Sequence, residues 1–443
     1  MSTGGLRICM LTTFYPPYHF GGDAIGVQRL SRGLVRAGHH VTVVHDADAY
    51  HALHPDAPPG AETPDDGVEV VRLESGLRVL APLLTQQLGR PVVHGRRIRR
   101  LLDDGRFDVV NFHNVSLVGG PGLLAMGGDA VRLYMAHEHW LVCPTHVLWR
   151  HGRELCTTRQ CVRCVLRNRR PPQLWRHTGM LDRALRHVDA FIAMSEFSRA
   201  KHREFGFPRE MEVLPYFVPD AVPDAVPDAV PDAVPDATED GAPAPAPAGE
   251  VPHGRPYFLF VGRLERIKGL DDVIPAFGDG LDADLLIAGD GEHAGALRAL
   301  AAGNPRVRFL GRLAPEALRA YYEHAVALVV PSVCYETFGI ILIEAFRQGT
   351  PVIARRLGPF PEIVKQSGAG LLFSTADELR LALQRFRREP ALRTELSVAG
   401  RQAFGERWTE SVVVPRYLDI VRRAAEGRRH DRITQLFSRA EVA

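Results

Sequence analysis

The chain has 443 residues, enough for two or three domains that each bury a core of their own. Apolar residues make up 45% and charged residues 24%, the balance of a globular protein rather than a fibrous or disordered one. A formal net charge of +2 supplies no global field of the kind that draws a protein to nucleic acid.

No stretch approaches the length of an apolar membrane span, and the opening MSTGGLRICMLTTFYPP has no secretory apolar core before its prolines. The expected location is therefore cytoplasmic. The six cysteines are then expected to be reduced, as metal ligands or free thiols before disulfides. Basic residues are almost all arginine; the lysines are Lys201, Lys268 and Lys365.

Along the first half, short apolar runs predict strands at Leu6–Leu11, His40–His45, Val68–Leu73, Asp108–His113, Val131–Ala136, Ala190–Ser195 and Glu212–Pro215. Amphipathic stretches separate them, the signature of a parallel sheet with crossover helices. After the first strand, FGGDAIG is a Gly-rich loop that opens a helix, and Gly21 and Gly22 would let the backbone approach a ligand. After Val131–Ala136 comes AHEHW, which puts His137 at a strand's carboxyl end, with Glu138 and His139 as alternative inward residues.

Next, Cys143, Cys156, Cys161 and Cys164 follow at spacings of twelve, four and two intervening residues. Four thiolates closing on C-x2-C can bind one tetrahedral zinc, with His146 as a substitute ligand; a redox-sensitive thiol set or scattered buried cysteines are the alternatives. Cys9 and Cys334 read as core residues. From Arg150 to Arg186 ten arginines stand against Glu154 and Asp182, either a solvated face or a lobe for a phosphate-bearing or membrane-surface acceptor.

Five VPDA units and an Ala-Pro run fill Val218–Gly254. Proline at every fourth residue forbids a helix, so a disordered, extended tether is expected, on the order of 100 Å if fully stretched. Strands resume at Tyr257–Gly262, Asp284–Gly289, Val307–Gly311, Val326–Pro331, Pro351–Ala354 and Gly370–Phe373. The expected division is 1–217 with a Cys-rich insertion at 143–175, linker 218–255, a second domain 256–405, a helix 406–430 packing back on the first domain, and a frayed charged tail 431–443. Each doubly wound domain would bind ligands at the carboxyl ends of its strands.

These residues resemble glycosyltransferase family 4 enzymes of the GT-B fold: α/β, two doubly wound Rossmann-like domains facing across a cleft. The resemblance covers Leu6 to about Ala425 apart from the repeats. It is carried by VGRLERIKGL, LLIAGDGE, RFLGRL, VPSVCYETFGIILIEA and GTPVIA in the family's order, and by the FYPPYHFGGDAIGVQRL opening and AMSEFSRA.

The stretch PSVCYETFGIILIEAF places Glu336 before a helix and Glu344 within it, about 12 Å apart if both were helical. Between them lies a helix N-terminus, a natural anion site. A nucleotide-sugar fits, with diphosphate at the helix start and hydroxylated rings on either side. The resemblance implies that Glu344 meets the ribose, Glu336 the donor sugar, and the N–H groups of Phe338, Gly339 and Ile340 the phosphate or sugar oxygens. It gives Arg263 and Lys268 the diphosphate, places Gly262, Gly289 and Asp290 near the nucleotide, and has His137 face the donor sugar while Gly21 and Gly22 approach across the cleft.

Retention of configuration by a front-face route is implied, without a catalytic metal and with structural zinc as the one metal considered. A hydroxyl acceptor on a sugar, lipid-linked molecule or natural product is expected, with uridine diphosphosugars favoured over GDP-mannose as donor, and no nucleic-acid partner. Location at the inner membrane surface, as a peripheral protein, stays open. The DAD triplets at Asp46–Asp48 and Asp282–Asp284 are similar to the metal motif of the other major transferase fold and read here as loop acids. A nucleotide-sugar epimerase on the same fold and a catalytically silent scaffold with a zinc module are the competing readings.

Overall fold

The computed structural model describes residues 5–54, 65–220, 252–278 and 280–440. Most of the VPDA and Ala-Pro tract, residues 221–251, lies outside them. The chain divides into two compact units, Met1–Pro219 with Glu410–Ala443, and Asp220–Thr409.

In the first unit the strands β1 (Arg7–Leu11), β2 (His40–Asp46), β3 (Glu69–Leu73), β4 (Val109–Phe112), β5 (Val131–Ala136), β8 (Ala190–Ala193) and β9 (Glu212–Val213) form one sheet in the order β3-β2-β1-β4-β5-β8-β9. Every printed pairing in it is parallel. The sheet core is apolar from both faces, with Leu11, Phe112, Tyr134 and Phe191 buried together. Order reverses at β1, the first strand of the chain, so the ends of β1 and β4 flank the switch point.

In the second unit β10 (Tyr257–Val261), β11 (Asp284–Ala288), β12 (Val307–Gly311), β13 (Ala327–Val330), β14 (Val352–Arg355) and β15 (Gly370–Phe373) are ordered β12-β11-β10-β13-β14-β15, again parallel throughout. All thirteen expected strands are present, with ends that differ by one or two residues. A hairpin of β6 (Trp149–Arg150) and β7 (Glu154–Leu155) was not expected from the sequence; two-residue strands leave no periodicity to read.

Several boundaries differ from the sequence reading. The second unit runs on to Thr409 because Trp408 is buried there and stacks on Phe346 at 5.8 Å. The helix Glu410–Arg428 belongs to the first unit, where Tyr417 is fully buried and its hydroxyl accepts from Asn111 Nδ2 at 3.1 Å. Arg36 donates to Glu410 from the helix Gly22–Arg36.

The terminal segment read as a frayed tail contains a helix, Asp431–Ala440, whose Ile433 is fully buried. Two arginines tie these last helices to strand starts. Arg428 meets Asp189 at 3.1 Å and Arg432 meets Asp108 at 3.3 Å, while those aspartates accept from the backbone N–H groups of Arg132 and Arg7.

Asp46 and Asp48 are buried, contrary to their reading as loop acids. Asp46 caps the helix Ala47–Leu53 through Ala49 N–H, and Asp48 accepts from Ser75 and approaches His94 Nε2 at 3.0 Å. Asp284 is likewise buried, at the start of β11, against His253 and Arg255.

Burial holds His45 neutral down to about pH 3 and His202 and His137 down to about pH 4, and it pushes His113 well below its ordinary value. All four lie in the first unit. Because the folded values lie below the unfolded value of about 6.5, the unfolded chain binds more protons, and the first unit loses stability as pH falls from there toward 4.

Trp140, Trp149 and Trp175 lie in the first unit, so a lower urea midpoint at pH 5 than at pH 7 should appear in tryptophan emission; equal midpoints would contradict the neutral histidines. Ile433→Ala should cost about 2–4 kcal/mol by the same melt, whereas a frayed tail would show no change.

Candidate functional site

The carboxyl ends of β10, β11 and β13 converge in the second unit, and glycines let them do so. Gly289, at φ +139°, stands where a Cβ would lie 1.9 Å from Gly262 O. At Gly269, φ +74°, a Cβ would lie 2.3 Å from Pro331 O. Backbone bonds complete the weave: Leu264 N–H donates to Asp290 O at 2.8 Å and Val333 N–H to Ile267 O at 2.9 Å. The loop after β10 thus touches those after β11 and β13, carrying Arg263 and Lys268 to the switch point.

Lys268 Nζ is 2.7 Å from Glu336 Oε1. Ser332 Oγ donates to the same oxygen at 3.1 Å, and the Cys334 thiol lies 3.9 Å from it. Among the described residues the hydrogen bonds of Glu336 therefore fall on Oε1, and Oε2 can accept from elsewhere. Burial works against charge on both partners. For Lys268 the adjacent Glu336 carboxylate overcomes it and raises the ammonium above its usual value. For Glu336 the ammonium, Ser332 and Arg263 overcome it and lower the carboxyl. The pair is thus ionised throughout the neutral range: protection of Glu336 is lost only below the ordinary carboxylate range, and that of Lys268 only above the ordinary lysine range.

Arg263 is half-exposed and meets Glu265 Oε1 at 2.6 Å, a partner that the sequence reading passed over although GRLERIKGL shows it two residues away. The helix Ile340–Gln348 begins after Gly339, which provides no side-chain cap. Leu342 N–H turns back to Gly339 O at 3.0 Å, and the N–H groups of Ile340 and Ile341 stand ahead of it at the helix start. A Cβ on Gly339 would meet Leu342 at 2.8 Å and Phe360 at 3.0 Å, so a capping side chain could not be carried there. Phe338 is buried, fixing the turn. Glu344 lies in the second turn, with the Tyr322 hydroxyl 3.5 Å from its Oε2. Asp290 is exposed and accepts from Gly291 N–H at 2.8 Å.

In the first unit Gly21 precedes the helix Gly22–Arg36 with extended backbone and no side-chain cap, and a Cβ there would meet nothing closer than Asp23 Oδ1 at 3.6 Å. His137 leaves β5 buried. Its Nε2 is 2.8 Å from His113 Nδ1, and its Nδ1 is 2.5 Å from the Tyr216 hydroxyl. His113 Nε2 in turn faces Met10 Sδ at 3.3 Å.

A thioether has no proton to give, so His113 carries its proton on Nε2, His137 donates from Nε2, and Tyr216 donates to His137 Nδ1. Both nitrogens of His137 are thus engaged. The sequence carried one clue to this relay: His113 follows β4, the parallel neighbour of β5, as His137 follows β5. Glu138 is paired with His146 Nδ1 at 2.9 Å, while His146 N–H donates to Cys143 O at 3.1 Å.

Cys143, Cys156, Cys161 and Cys164 line one small cavity with Thr145, Trp149 and Arg150. Cys9 is buried in the core of the first unit, as expected, whereas Cys334, also buried, belongs to the site through Glu336 rather than to the core. Among the described residues, Asp46, Asp48 and His94 place ligand-type atoms within 4.8 Å of one another, but their helix-capping and Ser75 contacts account for them. No described helix is long and apolar enough to cross a membrane.

Comparison with known proteins gives the same outline. The family model Glycosyltransferase Family 4 matches residues 20–221, and Glycosyl transferases group 1 matches residues 246–403. An uncharacterized glycosyltransferase of Methanocaldococcus jannaschii is 25% identical over 378 residues, 83% of this chain and 84% of its own. Sucrose-phosphate synthase from Thermosynechococcus elongatus superposes with a TM-score of 0.67 at 20% identity, covering 95% of this chain and 100% of that one. HepE of Anabaena, solved in complex with UDP-glucose, does so with 0.60 at 14% identity, covering 94% and 99%. With the two family models in sequence order and two Rossmann-like sheets to match, the chain belongs to the family 4-like glycosyltransferases of the GT-B fold.

Proposed function

We propose that the chain is a retaining hexosyltransferase that moves a sugar from a nucleoside diphosphate donor, uridine first and GDP-mannose second, to a hydroxyl acceptor in glycan, glycolipid or natural-product synthesis. The observation that carries this reading is the convergence of Lys268, Ser332 and Cys334 on one oxygen of Glu336 beside an uncapped helix start. That arrangement offers cations and N–H donors to a diphosphate, and a fixed carboxylate oxygen to a sugar hydroxyl. The UDP-glucose held by HepE favours uridine.

In this reading the N–H groups at Phe338–Ile340 meet phosphate or sugar oxygens, Glu336 Oε2 accepts from the donor sugar, and Glu344 accepts from the ribose, with Gly262 and Asp290 at its side. Lys268 commits one N–H to Glu336 and turns the others to the diphosphate. Arg263 leaves Glu265 for a phosphate oxygen, an exchange that an exposed side chain makes at small cost.

The acceptor oxygen attacks the anomeric carbon on the face from which the diphosphate departs. The carbon–oxygen bond to phosphate breaks as the new one forms, and the acceptor proton passes to the leaving phosphate oxygen. The protein orients the partners and stabilises the developing charge without a metal. In the first unit, the helix start at Gly21–Gly22 and the ring of His137 offer further contacts to sugar or phosphate oxygens; His137 must first release Tyr216 or His113.

Arg263→Ala and Lys268→Ala should each lower kcat/KM by about 10²–10³-fold in a transfer assay with a panel of nucleotide sugars, with the product anomer read by NMR. Near-normal transfer by both variants would refute the assignment. Donor conversion without acceptor would favour an epimerase, and a melting temperature unmoved by every nucleotide would favour a silent scaffold.

A further inference from the structure

We infer that Cys143, Cys156, Cys161 and Cys164 form a zinc site that fixes the loop carrying the chain out of β5. The four sulfurs come from three separate pieces of chain: the turn after His139, the end of the β6–β7 hairpin, and the helix Cys161–Arg167. Nothing in the sequence of these pieces requires their sulfurs to face a common cavity. All four are free thiols.

Donors are aimed at them. His151 N–H points to Cys164 Sγ at 3.2 Å, Asn168 Nδ2 lies 3.6 Å from the same sulfur, and Thr145 Oγ1 lies 3.3 Å from Cys143 Sγ. Such donors steady metal-bound thiolates, whereas as thiols Cys156 and Cys164 reach the carbonyls of Thr158 at 3.6 Å and Trp149 at 4.0 Å, contacts that deprotonation by a metal would release.

The loop also carries local strain. His146, Leu148 and His151 have positive φ, at 74°, 49° and 55°, which costs about 1–3 kcal/mol each and needs rigid surroundings. The strands are two residues long, and Val162, Leu166 and Leu174 point outward. Trp140, Leu141 and Trp175 anchor the segment in the core of the first unit, and a metal would fix the strained turns between those anchors.

Arg176 supplies a compensating charge. It is half-buried between the Trp140 and Trp175 rings, 5.3 and 4.6 Å from their centroids, donates to Trp140 O at 2.9 Å, and acts electrostatically on Cys143 and Cys161. It would offset part of the net negative charge of a four-thiolate zinc centre and couple that centre to Trp140, three residues past His137. No three of the sulfurs are mutually within 4.8 Å, so binding must draw the loop inward, and the tryptophans should report it.

Purified full-length protein should hold about one zinc per chain, and Cys161→Ser/Cys164→Ser should lose it. Stripping and restoring zinc should change tryptophan emission reversibly. If the double variant fails to fold, Cys156→Ser keeps three ligands and should surrender its zinc to a chelator faster than the parent chain. Zinc-free protein whose emission ignores added zinc, a mass showing disulfides, or zinc retained at parental level in the double variant would overturn the site.

A second observation, independent of the first, concerns the outer face of the first unit. In the helix Leu80–Leu88 the residues Ala81, Pro82 and Thr85 face inward, while Leu80, Leu83, Leu84 and Leu88 are 52%, 40%, 37% and 53% exposed. Their i, i+3, i+4, i+8 spacing is that of a stripe normally buried, here turned to solvent. Leu77, Val79 and Val92 extend it. Arg78 and Arg90 flank this helix, and the next one, Gly95–Gly105, exposes Arg96, Arg97, Arg99 and Arg100 ahead of Asp103 and Asp104.

We propose that this face seats on an anionic lipid bilayer, leucines entering the headgroup boundary and arginines meeting phosphates. A second copy of the chain would bring like charge against like charge in a two-fold contact, which disfavours self-association.

Co-sedimentation with vesicles of phosphatidylcholine and phosphatidylglycerol should capture the protein, and phosphatidylcholine alone should not. Leu80→Glu/Leu88→Glu, at sites too exposed to disturb the fold, should weaken capture by about tenfold or more while leaving the melting temperature unchanged. Equal capture of the variant, or a dimer in light scattering that this variant abolishes, would refute the bilayer as occupant.

Discussion

A parallel strand covered on both faces has no place for a charged side chain along its length, and everything chemical about this molecule follows from that constraint. β10, β11, β13 and β14 are buried almost from end to end, so polar groups collect where these strands stop. The positions are then set by how closely the loops can pass. Gly262 against Gly289 and Gly269 against Pro331 are main-chain contacts that no side chain would permit. They bring Lys268 from one loop onto Glu336 from another. The same rule acts in the first unit, where His113 and His137 follow neighbouring strands and meet ring to ring.

The cations at the second site are partnered before any ligand arrives. Lys268 is held by Glu336, and Arg263 by Glu265. An uncompensated cation in a half-buried place would be costly, and an internal carboxylate removes that cost while keeping the charge in position. It also sets a condition on any anionic ligand, which must match or share what the carboxylate gives. Lys268 and Glu336 are 21% and 26% exposed, so their pairing persists; Arg263 is 52% exposed, and its pairing is easily exchanged. The two cations of one motif therefore behave differently.

The first unit carries more than a sheet and its helices need. Its loop after β5 encloses four cysteines and an arginine between two tryptophans, and its helix Leu80–Leu88 turns leucines outward. The tryptophans join the core of the first unit while the leucines stay outside it, and both features lie on connections, where a fold tolerates additions without disturbing its register.

The fold class was legible because strands buried on both faces leave continuous apolar runs, and thirteen of these are all strands. The helix start at Ile340 and the place of Glu344 were equally plain, since a glycine before an amphipathic run is a local signal. Features decided by contacts across the chain were not. The helix Asp431–Ala440 reads as a charged tail until the site that receives Ile433 is known, and Asp46 and Asp48 read as loop acids until Ser75 and His94 surround them.

Sequence alone fixed which side chains stand at strand ends, because burial forbids them elsewhere. Only the tertiary structure chose their partners, giving Lys268 to Glu336 and His137 to His113 and Tyr216. A partner lies at a distance in space that the spacing along a chain does not encode.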